Sequence, residues 1–202
     1  MFDEFLNMHY TSLFLVRHAD FTNKELTGGW TDSSITETGV RQTQALAAKL
    51  RELTSIDVIL SSTLRRASAT ARILSAGTGI PVEFVQELRT INNGIAAGIS
   101  KEQFIAEGYP ALVRNEAAVI QGGESMSCFR SRIVEFFNRL TATQPDRPLL
   151  LVTHGRVIQV LFEEVVLQRR ETGIRWGVYP TSLTQWFVYE DRSIRIEKVN
   201  DI

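Results

Sequence analysis

Two short apolar runs, each closely followed by a histidine, constrain the fold of this sequence more than any other feature. Residues 13–16 (Leu-Phe-Leu-Val) lie just before His18, and residues 149–152 (Leu-Leu-Leu-Val) lie just before His154. Short uninterrupted apolar runs are typical of strands that are buried on both faces of a parallel sheet. Parallel strands end at a common carboxyl edge, so the two imidazoles meet there if the strands are neighbours.

Helical patterns separate the strand-like runs. Apolar residues recur at helical spacing over 40–53, 64–74 and 129–140, and a third strand-like run lies at 58–60. This alternation implies right-handed crossovers and a sheet covered on both faces. We therefore predict an α/β fold, a three-layer α/β/α sandwich with a mostly parallel central sheet. A hairpin over 184–199 would supply one antiparallel edge strand.

Composition limits the classes of function that the chain can have. Its 202 residues include 22 Lys+Arg and 23 Asp+Glu, a net charge of −1, which argues against a nucleic-acid partner. No segment approaches the ~18 apolar residues of a membrane span, and the acidic start of the chain is unlike a signal peptide. We expect a cytoplasmic protein with one domain over residues 1–202 and no membrane partner. The single Cys128 is expected to be a small buried hydrophobic residue.

The residues at the predicted sheet edge suit an anion. The run at 58–60 leads into Arg65 and Arg66, where a helix is expected to begin, so guanidinium groups and helix amides reach the same edge as His18 and His154. Arginine suits a phosphoryl group because its planar fork donates two parallel hydrogen bonds. A single histidine after a strand is more often structural, but the pair favours a site. Adjacent helical positions point about 100° apart, so at most one of the two arginines faces this site.

Several sequence motifs follow one another along the chain. They are Arg17-His18-Ala19, the stretch Gly-Trp-Thr-Asp-Ser-Ser-Ile-Thr-Glu-Thr-Gly at 29–39, Ser-Thr-Leu-Arg-Arg-Ala-Ser-Ala-Thr-Ala at 62–71, Gly-Gly-Glu-Ser at 122–125 with Arg132, and His154-Gly155. In this order they resemble the signature motifs of the histidine phosphatase superfamily, also called the phosphoglycerate-mutase-like family. The resemblance covers residues 17 to about 158 and implies the phosphoglycerate-mutase-like form of the predicted sandwich.

The resemblance also implies a role for each matching residue. His18 would be the nucleophile that becomes a phosphohistidine, and Arg17 and Arg66 would hold the phosphate oxygens. His154 would add a donor to the transferring group, with Gly155 beside it in the substrate-binding part. A neutral imidazole is a competent nucleophile near pH 7, so neither a metal nor a cofactor is expected.

The sequence departs from the family pattern after the first motif. The segment between His18 and Trp30 is shorter than usual, and Phe21 and Lys24 stand where a hydroxyl residue and an asparagine are expected. After a slip in register, Thr22 and Asn23 are the substitutes that we expect to bind substrate.

A second departure affects the general acid. Residues 88–98 resemble the family's Leu-x-Glu-x-x-x-Gly-x-x-x-Gly segment, but Thr90 stands at the position of the glutamate. A hydroxyl group cannot protonate a leaving alkoxide at neutral pH, and the loss of an acid costs about 10²–10⁴-fold in rate. Glu87 is the first candidate for a replacement acid, followed by Asp20 and Glu124. Thr90 itself is then expected to contact the substrate.

These observations favour a metal-independent phosphomonoesterase that acts on a small phosphorylated molecule through a phosphohistidine. Without a strong acid, it would prefer substrates with good leaving groups. A phosphoglycerate-type mutase and a weakly active or inactive phosphate-binding protein are the alternatives. Residues 99–121 are expected to cap the site and set its specificity. A homodimer is left open, since Phe2, Phe5 and Leu6 could pack on a second subunit or on the same chain.

Overall fold

The fold is known from a computed structural model that describes residues 9–53, 56–144, 146–168 and 177–201. Phe2, Phe5 and Leu6 lie outside these ranges. Within them the strands are β1 (Tyr10–Arg17), β2 (Val58–Ser62), β3 (Val82–Val85), β4 (Leu149–Thr153), β5 (Leu183–Tyr189) and β6 (Ile194–Asp201). They form one sheet in the order β3-β2-β4-β1-β5-β6.

The sheet is mostly parallel, as predicted. β3, β2, β4 and β1 pair in parallel, whereas β5 is antiparallel to both β1 and β6. The predicted antiparallel edge is therefore confirmed, and it consists of the β5–β6 pair. β3 was missed at the sequence level because its four residues are only partly buried or exposed and carry no continuous apolar run.

Helices cover both faces of the sheet. They are α1 (Glu37–Leu53), α2 (Arg65–Thr78), α3 (Lys101–Ala106), α4 (Tyr109–Arg114), α5 (Met126–Thr143) and α6 (Gly155–Leu161), the last continuing as one π-helical turn. Alternate β1 residues separate the two faces: Leu13 and Leu15 belong to the core beneath α5 and α6, Phe14 and Val16 to that beneath α1 and α2. This confirms the three-layer sandwich. None of the helices described is long and apolar enough to cross a membrane.

Cys128 corrects one expectation. It is exposed on α5, whereas Phe129 and Arg130, the next two residues of the helix, are buried. Successive helical residues point about 100° apart, so a residue beside a buried stripe can face solvent. The apolar residues around Cys128 in the sequence therefore did not indicate its burial.

The register of β1 and β4 places the two histidines at one edge. These neighbouring strands pair from Leu13 with Leu149 to Arg17 with Thr153, so both end at the same level. The pairing continues one residue further, because the His18 amide donates a 2.8 Å hydrogen bond to the Thr153 carbonyl. Beyond this level the chain leaves the sheet after both β1 and β4. His18 and His154 are the first residues after these two strands.

Candidate active site

His18 is buried at the end of β1, and its hydrogen bonds define its tautomer. Nδ1 lies 2.9 Å from the Ala19 carbonyl oxygen, which can only accept, so Nδ1 carries the proton. Nε2 therefore carries the lone pair, and it accepts a 3.2 Å hydrogen bond from Arg66 Nε. Burial lowers the pKa of His18 well below its usual range, and the nearby charges of Arg66 and Arg17 lower it further. The imidazole is thus neutral at pH 7 with Nε2 available as a nucleophile.

Arg66 projects from the first turn of α2 and is fixed by backbone carbonyls. Its Nη1 donates to the Thr31 oxygen at 2.9 Å and its Nη2 to the Gly29 oxygen at 2.8 Å. Burial, followed by the charge of Arg17, lowers its pKa to about 10, so it remains a cation at neutral pH. Arg65 points away, is largely exposed and lies 3.6 Å from Asp32.

His154 faces His18 from the end of β4. The two buried rings are 5.1 Å apart between centroids, and His154 Nε2 lies 2.8 Å from Ser62 Oγ. Ser62 Oγ already accepts a bond from the Leu64 amide, so its own hydrogen is available to Nε2. The neutral ring then carries its proton on Nδ1, a buried atom without a hydrogen-bond partner among the described residues. Burial, then the neighbouring His18 and Arg66, lowers the pKa of His154 well below its usual range.

Arg17, the last residue of β1, completes the group. Its Nη1 donates a 2.5 Å hydrogen bond to the Val178 carbonyl, which holds the guanidinium against the segment before β5. Its Nε is buried and has no partner within the described ranges. Burial lowers the pKa of Arg17, and Asp20 opposes that change. Arg17 Nε and His154 Nδ1 are therefore two buried donors with unused hydrogen-bonding capacity.

A short loop supplies the carbonyls that hold Arg66, and Gly29 is required in it. Gly29 has a positive φ of 63°, and a Cβ on it would lie 1.8 Å from Asn93 Oδ1. Asn93 Oδ1 accepts from the Trp30 amide at 3.1 Å, while Trp30 Nε1 donates to the Thr90 carbonyl at 2.8 Å. The loop and the segment that carries Thr90 are thereby held together.

A cleft of about 450 Å³ opens over these side chains. Six of the sequence candidates line it: Arg17, His18, Arg66, Thr90, His154 and Gly155. The other lining residues are Phe21, Thr27, Gly28, Gly29, Thr31, Ser33, Arg156, Gln159, Gly177, Val178 and Tyr179. No aspartate or glutamate is among these lining residues. Residues 177–179 were missed because no motif marks them, and only the fold brings them beside Arg17.

The predicted acid Glu87 lies outside this cleft. It belongs to the one-turn 3₁₀ helix Gln86–Leu88 and forms a 3.0 Å ion pair with Arg139 of α5. Its side chain lines a neighbouring hollow that also contains Trp30 and Arg89. The expected shift of the loop towards His18 is not present, since the 3₁₀ turn directs Glu87 towards α5.

The other two carboxylates have partners elsewhere. Asp20 lies 2.5 Å from Lys24 Nζ and accepts a 2.9 Å hydrogen bond from Thr36 Oγ1. Glu124 forms a 2.6 Å ion pair with Arg132 and lines the neighbouring hollow, not the cleft. Neither side chain is thus in position to protonate a group bound beside His18.

Thr22 and Asn23 also stand apart from the cleft lining. Both are exposed, the Thr22 amide donates to the Ser34 carbonyl at 2.9 Å, and Asn23 adopts a positive φ of 61°. Phe21 takes the place beside the nucleophile, with its ring centroid 5.2 Å from that of His18. The shortened loop therefore brings an aromatic ring where a hydrogen-bonding residue was expected.

The segment 99–121 forms α3 and α4 next to the loop that lines the cleft. The Thr27 amide donates to the Ile99 carbonyl at 2.8 Å, and the Lys101 amide to the Glu25 carbonyl at 3.2 Å. None of residues 99–121 is among those that line the cleft. Its role as a cap stays a prediction.

The tautomers and charge states of the two histidines can be measured. We expect both rings to be neutral at pH 6.5, and to gain a proton only as the pH falls through their lowered pKa values, because burial disfavours the imidazolium. Ring ¹⁵N NMR should show His18 with its proton on Nδ1, and the His18→Ala variant assigns the signal. A protonated His18 ring at pH 6.5, or a proton on Nε2 of the neutral ring, would contradict the geometry.

The fold and the cleft define a class of protein. A mostly parallel sheet presents a neutral nucleophilic imidazole, a second imidazole and two guanidinium groups at one edge, and none of the described lining residues is a carboxylate. This set of groups suits transfer of a phosphoryl group, whose transition state needs positioning and neutralisation of oxygen charge. The described residues contain no cluster of three or more His, Cys, Asp or Glu side chains that could hold a metal ion.

Comparison with known proteins identifies the family. The model of the histidine phosphatase superfamily (branch 1) matches residues 13–202, and the chain belongs to this superfamily. It is 31% identical over 163 residues to the adenosylcobalamin/alpha-ribazole phosphatase of Salmonella typhimurium, covering 76% of this chain and 79% of that protein. It is 29% identical over 159 residues to the 2,3-bisphosphoglycerate-dependent phosphoglycerate mutase of Cytophaga hutchinsonii, covering 74% of each.

Solved structures agree with this assignment. The mycobacterial glucosyl-3-phosphoglycerate phosphatase superposes with a TM-score of 0.80 at 25% identity, covering 96% of this chain and 100% of that one. Both phosphatases and mutases therefore occur among the relatives. The phosphoglycerate-mutase-like form of the sandwich is confirmed.

Proposed function

We propose that this protein is a phosphomonoesterase that needs no metal ion and works through a phosphohistidine at His18. The observation that carries the proposal is the lone pair of His18 Nε2, held in a neutral buried ring and directed towards Arg66. A phosphate dianion placed between Arg17 and Arg66 would present its phosphorus to this nitrogen. The substrate is a small phosphorylated molecule, because the cleft holds about 450 Å³.

The reaction then has two steps. Nε2 forms a bond to phosphorus while the ester P–O bond breaks, and the leaving oxygen carries away the electron pair of that bond. Arg17, Arg66 and the Nδ1 proton of His154 neutralise the charge on the three phosphoryl oxygens. Water next attacks the phosphohistidine, the N–P bond breaks, and His18 returns to its neutral state as phosphate is released.

Hydrolysis is favoured over mutase activity. A mutase must keep its phosphorylated intermediate bound until the phosphoryl group returns to the substrate at a new position, whereas a hydrolase only has to admit water to the phosphohistidine. The named phosphatases among the relatives support the same choice. The alternative of a binding protein with little chemistry rests on Thr90 at the acid position.

The lack of a carboxylate among the described residues of the cleft lining implies a preference for certain leaving groups. An alkoxide needs a proton as it departs, whereas a phenolate, a carboxylate or an imidazole leaves with little assistance. We therefore expect aryl phosphates, acyl phosphates and phosphohistidines to react faster than alkyl phosphates. Equal kcat/KM for an aryl and an alkyl phosphate, unchanged in the variants Glu87→Gln, Asp20→Asn and Glu124→Gln, would contradict this preference.

Restoring an acid is the sharper test of the same idea. Thr90 is buried and lines the cleft, so Thr90→Glu places a carboxyl group near the leaving oxygen. We expect kcat/KM on an alkyl phosphate to rise by about 10²-fold while that on 4-nitrophenyl phosphate changes little. Thr90→Gln is the matched control, since it has the same size without an ionisable proton. A gain of equal size in both variants would exclude acid catalysis as its cause.

The proposed function is tested by turnover of 4-nitrophenyl phosphate in EDTA, with rapid quenching of a ³²P-labelled substrate. Turnover that survives EDTA, and a protein-bound label that is stable to base and labile to acid, are expected. Loss of activity in EDTA that Mg²⁺ or Zn²⁺ restores would overturn the metal-independent route. Phosphate binding without turnover or label would favour the binding protein.

A further inference from the structure

Arg156 is a charged side chain of the cleft that the two-step reaction does not use. It lies in the first turn of α6, two residues after His154, and lines the same cleft as His18 and Arg66. Its only hydrogen-bond contact in the described residues is 3.9 Å from Nη2 to the thioether of Met126, a weak acceptor. No carboxylate within those ranges lies at ion-pair distance from it.

Within the described part of the chain, the charges of the cleft leave Arg156 without a counter-charge. Among the described residues, the lining includes the three arginines Arg17, Arg66 and Arg156, no aspartate or glutamate, and two histidines that are neutral at pH 7. The phosphoryl group of a monoester carries about two negative charges at this pH and is held by Arg17 and Arg66. A third positive charge therefore remains for another part of the substrate.

Residues 177–179, which line the cleft beside the start of α6, form a firmly held segment. Asn200 of β6 donates from Nδ2 to the Gly177 carbonyl at 2.5 Å, and its Oδ1 accepts from Ser182 Oγ at 2.9 Å. Ser182 Oγ also lies 2.8 Å from the Tyr179 carbonyl oxygen, so its single hydrogen is shared between these two acceptors. The backbone beneath Tyr179 is thus fixed at both ends, and its exposed ring adds an apolar surface to the cleft.

We propose that Arg156 is a specificity-determining residue that binds a second anionic group, a carboxylate or a phosphate, on the leaving group of the substrate. A charged hydrogen bond from a guanidinium to such a group is stronger than one between neutral partners. The side of the cleft formed by Arg156 and Tyr179 therefore selects substrates with an anion attached to a compact, partly apolar leaving group. This inference rests on the proposed function, since it assumes that the phosphoryl group lies between Arg17 and Arg66.

Binding of phosphonates tests the inference without any need for turnover. Calorimetry at pH 8 and 0.15 M salt compares phenylphosphonate with its 2-, 3- and 4-carboxy derivatives and with the carbamoyl derivatives, which have the same shape but no charge. We expect at least one carboxy derivative to bind about tenfold more tightly than its carbamoyl counterpart. Arg156→Gln should abolish that difference while the affinity for phenylphosphonate stays within about twofold.

Arg65→Gln is the matched control, because it removes an exposed arginine charge near the cleft that does not line it. In this variant the preference for the carboxy derivative should persist. Equal binding of all carboxy and carbamoyl pairs by the wild-type protein, or an equal loss in both variants, would overturn the role of Arg156. Failure of every phosphonate to bind would overturn the phosphate cleft and this inference with it. Normal phosphonate selectivity without phosphatase turnover would support Arg156 and count against the proposed function alone.

Discussion

Alanine at position 18 is expected to lower kcat on an aryl phosphate by at least about 10⁴-fold, the largest effect that we predict. The variant removes the atom that receives the phosphoryl group, so no other residue in the cleft can take over the first step. His154 is not expected to replace it, because its Nε2 lies against Ser62 Oγ of β2, whereas His18 Nε2 lies against Arg66, the residue proposed to hold the phosphoryl group. The measurement is steady-state hydrolysis in EDTA, with quantification of the acid-labile label.

His9→Ala is the control for this variant. His9 is an exposed histidine that pairs with Asp146 at 2.8 Å, at the start of β1 and away from the cleft. Its removal should leave kcat and labelling unchanged. Retention of even one tenth of the wild-type kcat by His18→Ala would exclude a phosphohistidine at this position, and water would then have to attack the substrate directly.

Arg66→Gln is expected to lower kcat/KM by about 10²–10³-fold, the second largest effect. The variant loses a donor to the phosphoryl oxygens and the charge that helps to keep His18 neutral. Arg66→Lys should recover little activity, because an ammonium group cannot bridge the Gly29 and Thr31 carbonyls as the guanidinium does.

Arg65→Gln provides the comparison, since it removes the same charge one residue earlier in α2. We expect a change of less than about threefold, as exposed ion pairs such as that of Arg65 with Asp32 contribute little. Thermal unfolding of both variants separates catalysis from stability, because Arg66 also holds the 29–31 loop. Equal losses of activity in Arg65→Gln and Arg66→Gln would mean that α2 acts through its overall positive charge. They would exclude a specific role for the position of the Arg66 guanidinium.

Features that depend on local pattern could be predicted from the sequence. The buried runs ending near His18 and His154 predicted two parallel strands that end at one edge of the sheet. That these strands are neighbours, with the two rings 5.1 Å apart between centroids, is a finding of the structure. The 100° separation of adjacent helical residues predicted that only one of Arg65 and Arg66 faces the site. These predictions required only the direction of the strands and the angular spacing of residues along a helix.

Features that depend on loop conformation could not be predicted. Glu87 lies only three positions before the cleft residue Thr90 in the sequence. A 3₁₀ turn nevertheless directs its side chain towards Arg139. Nothing in the sequence signals that residues 177–179 meet Arg17, since that contact spans most of the chain. The positions of Arg156 and Tyr179 likewise follow from the packing of α6 and the hairpin, and no spacing rule encodes them.

The bond from Asn200 to the wall of the cleft makes the site depend on a strand that contributes nothing to its lining. Residues 1–190 contain both histidines and all three arginines of the cleft, but not the strand that holds Gly177 and Ser182. The wall that binds Arg17 through Val178 is held by Asn200 of β6, which pairs with β5. The capacity to hold a phosphate ester is therefore shared between the chemical groups at the sheet edge and a hairpin strand that touches none of the substrate.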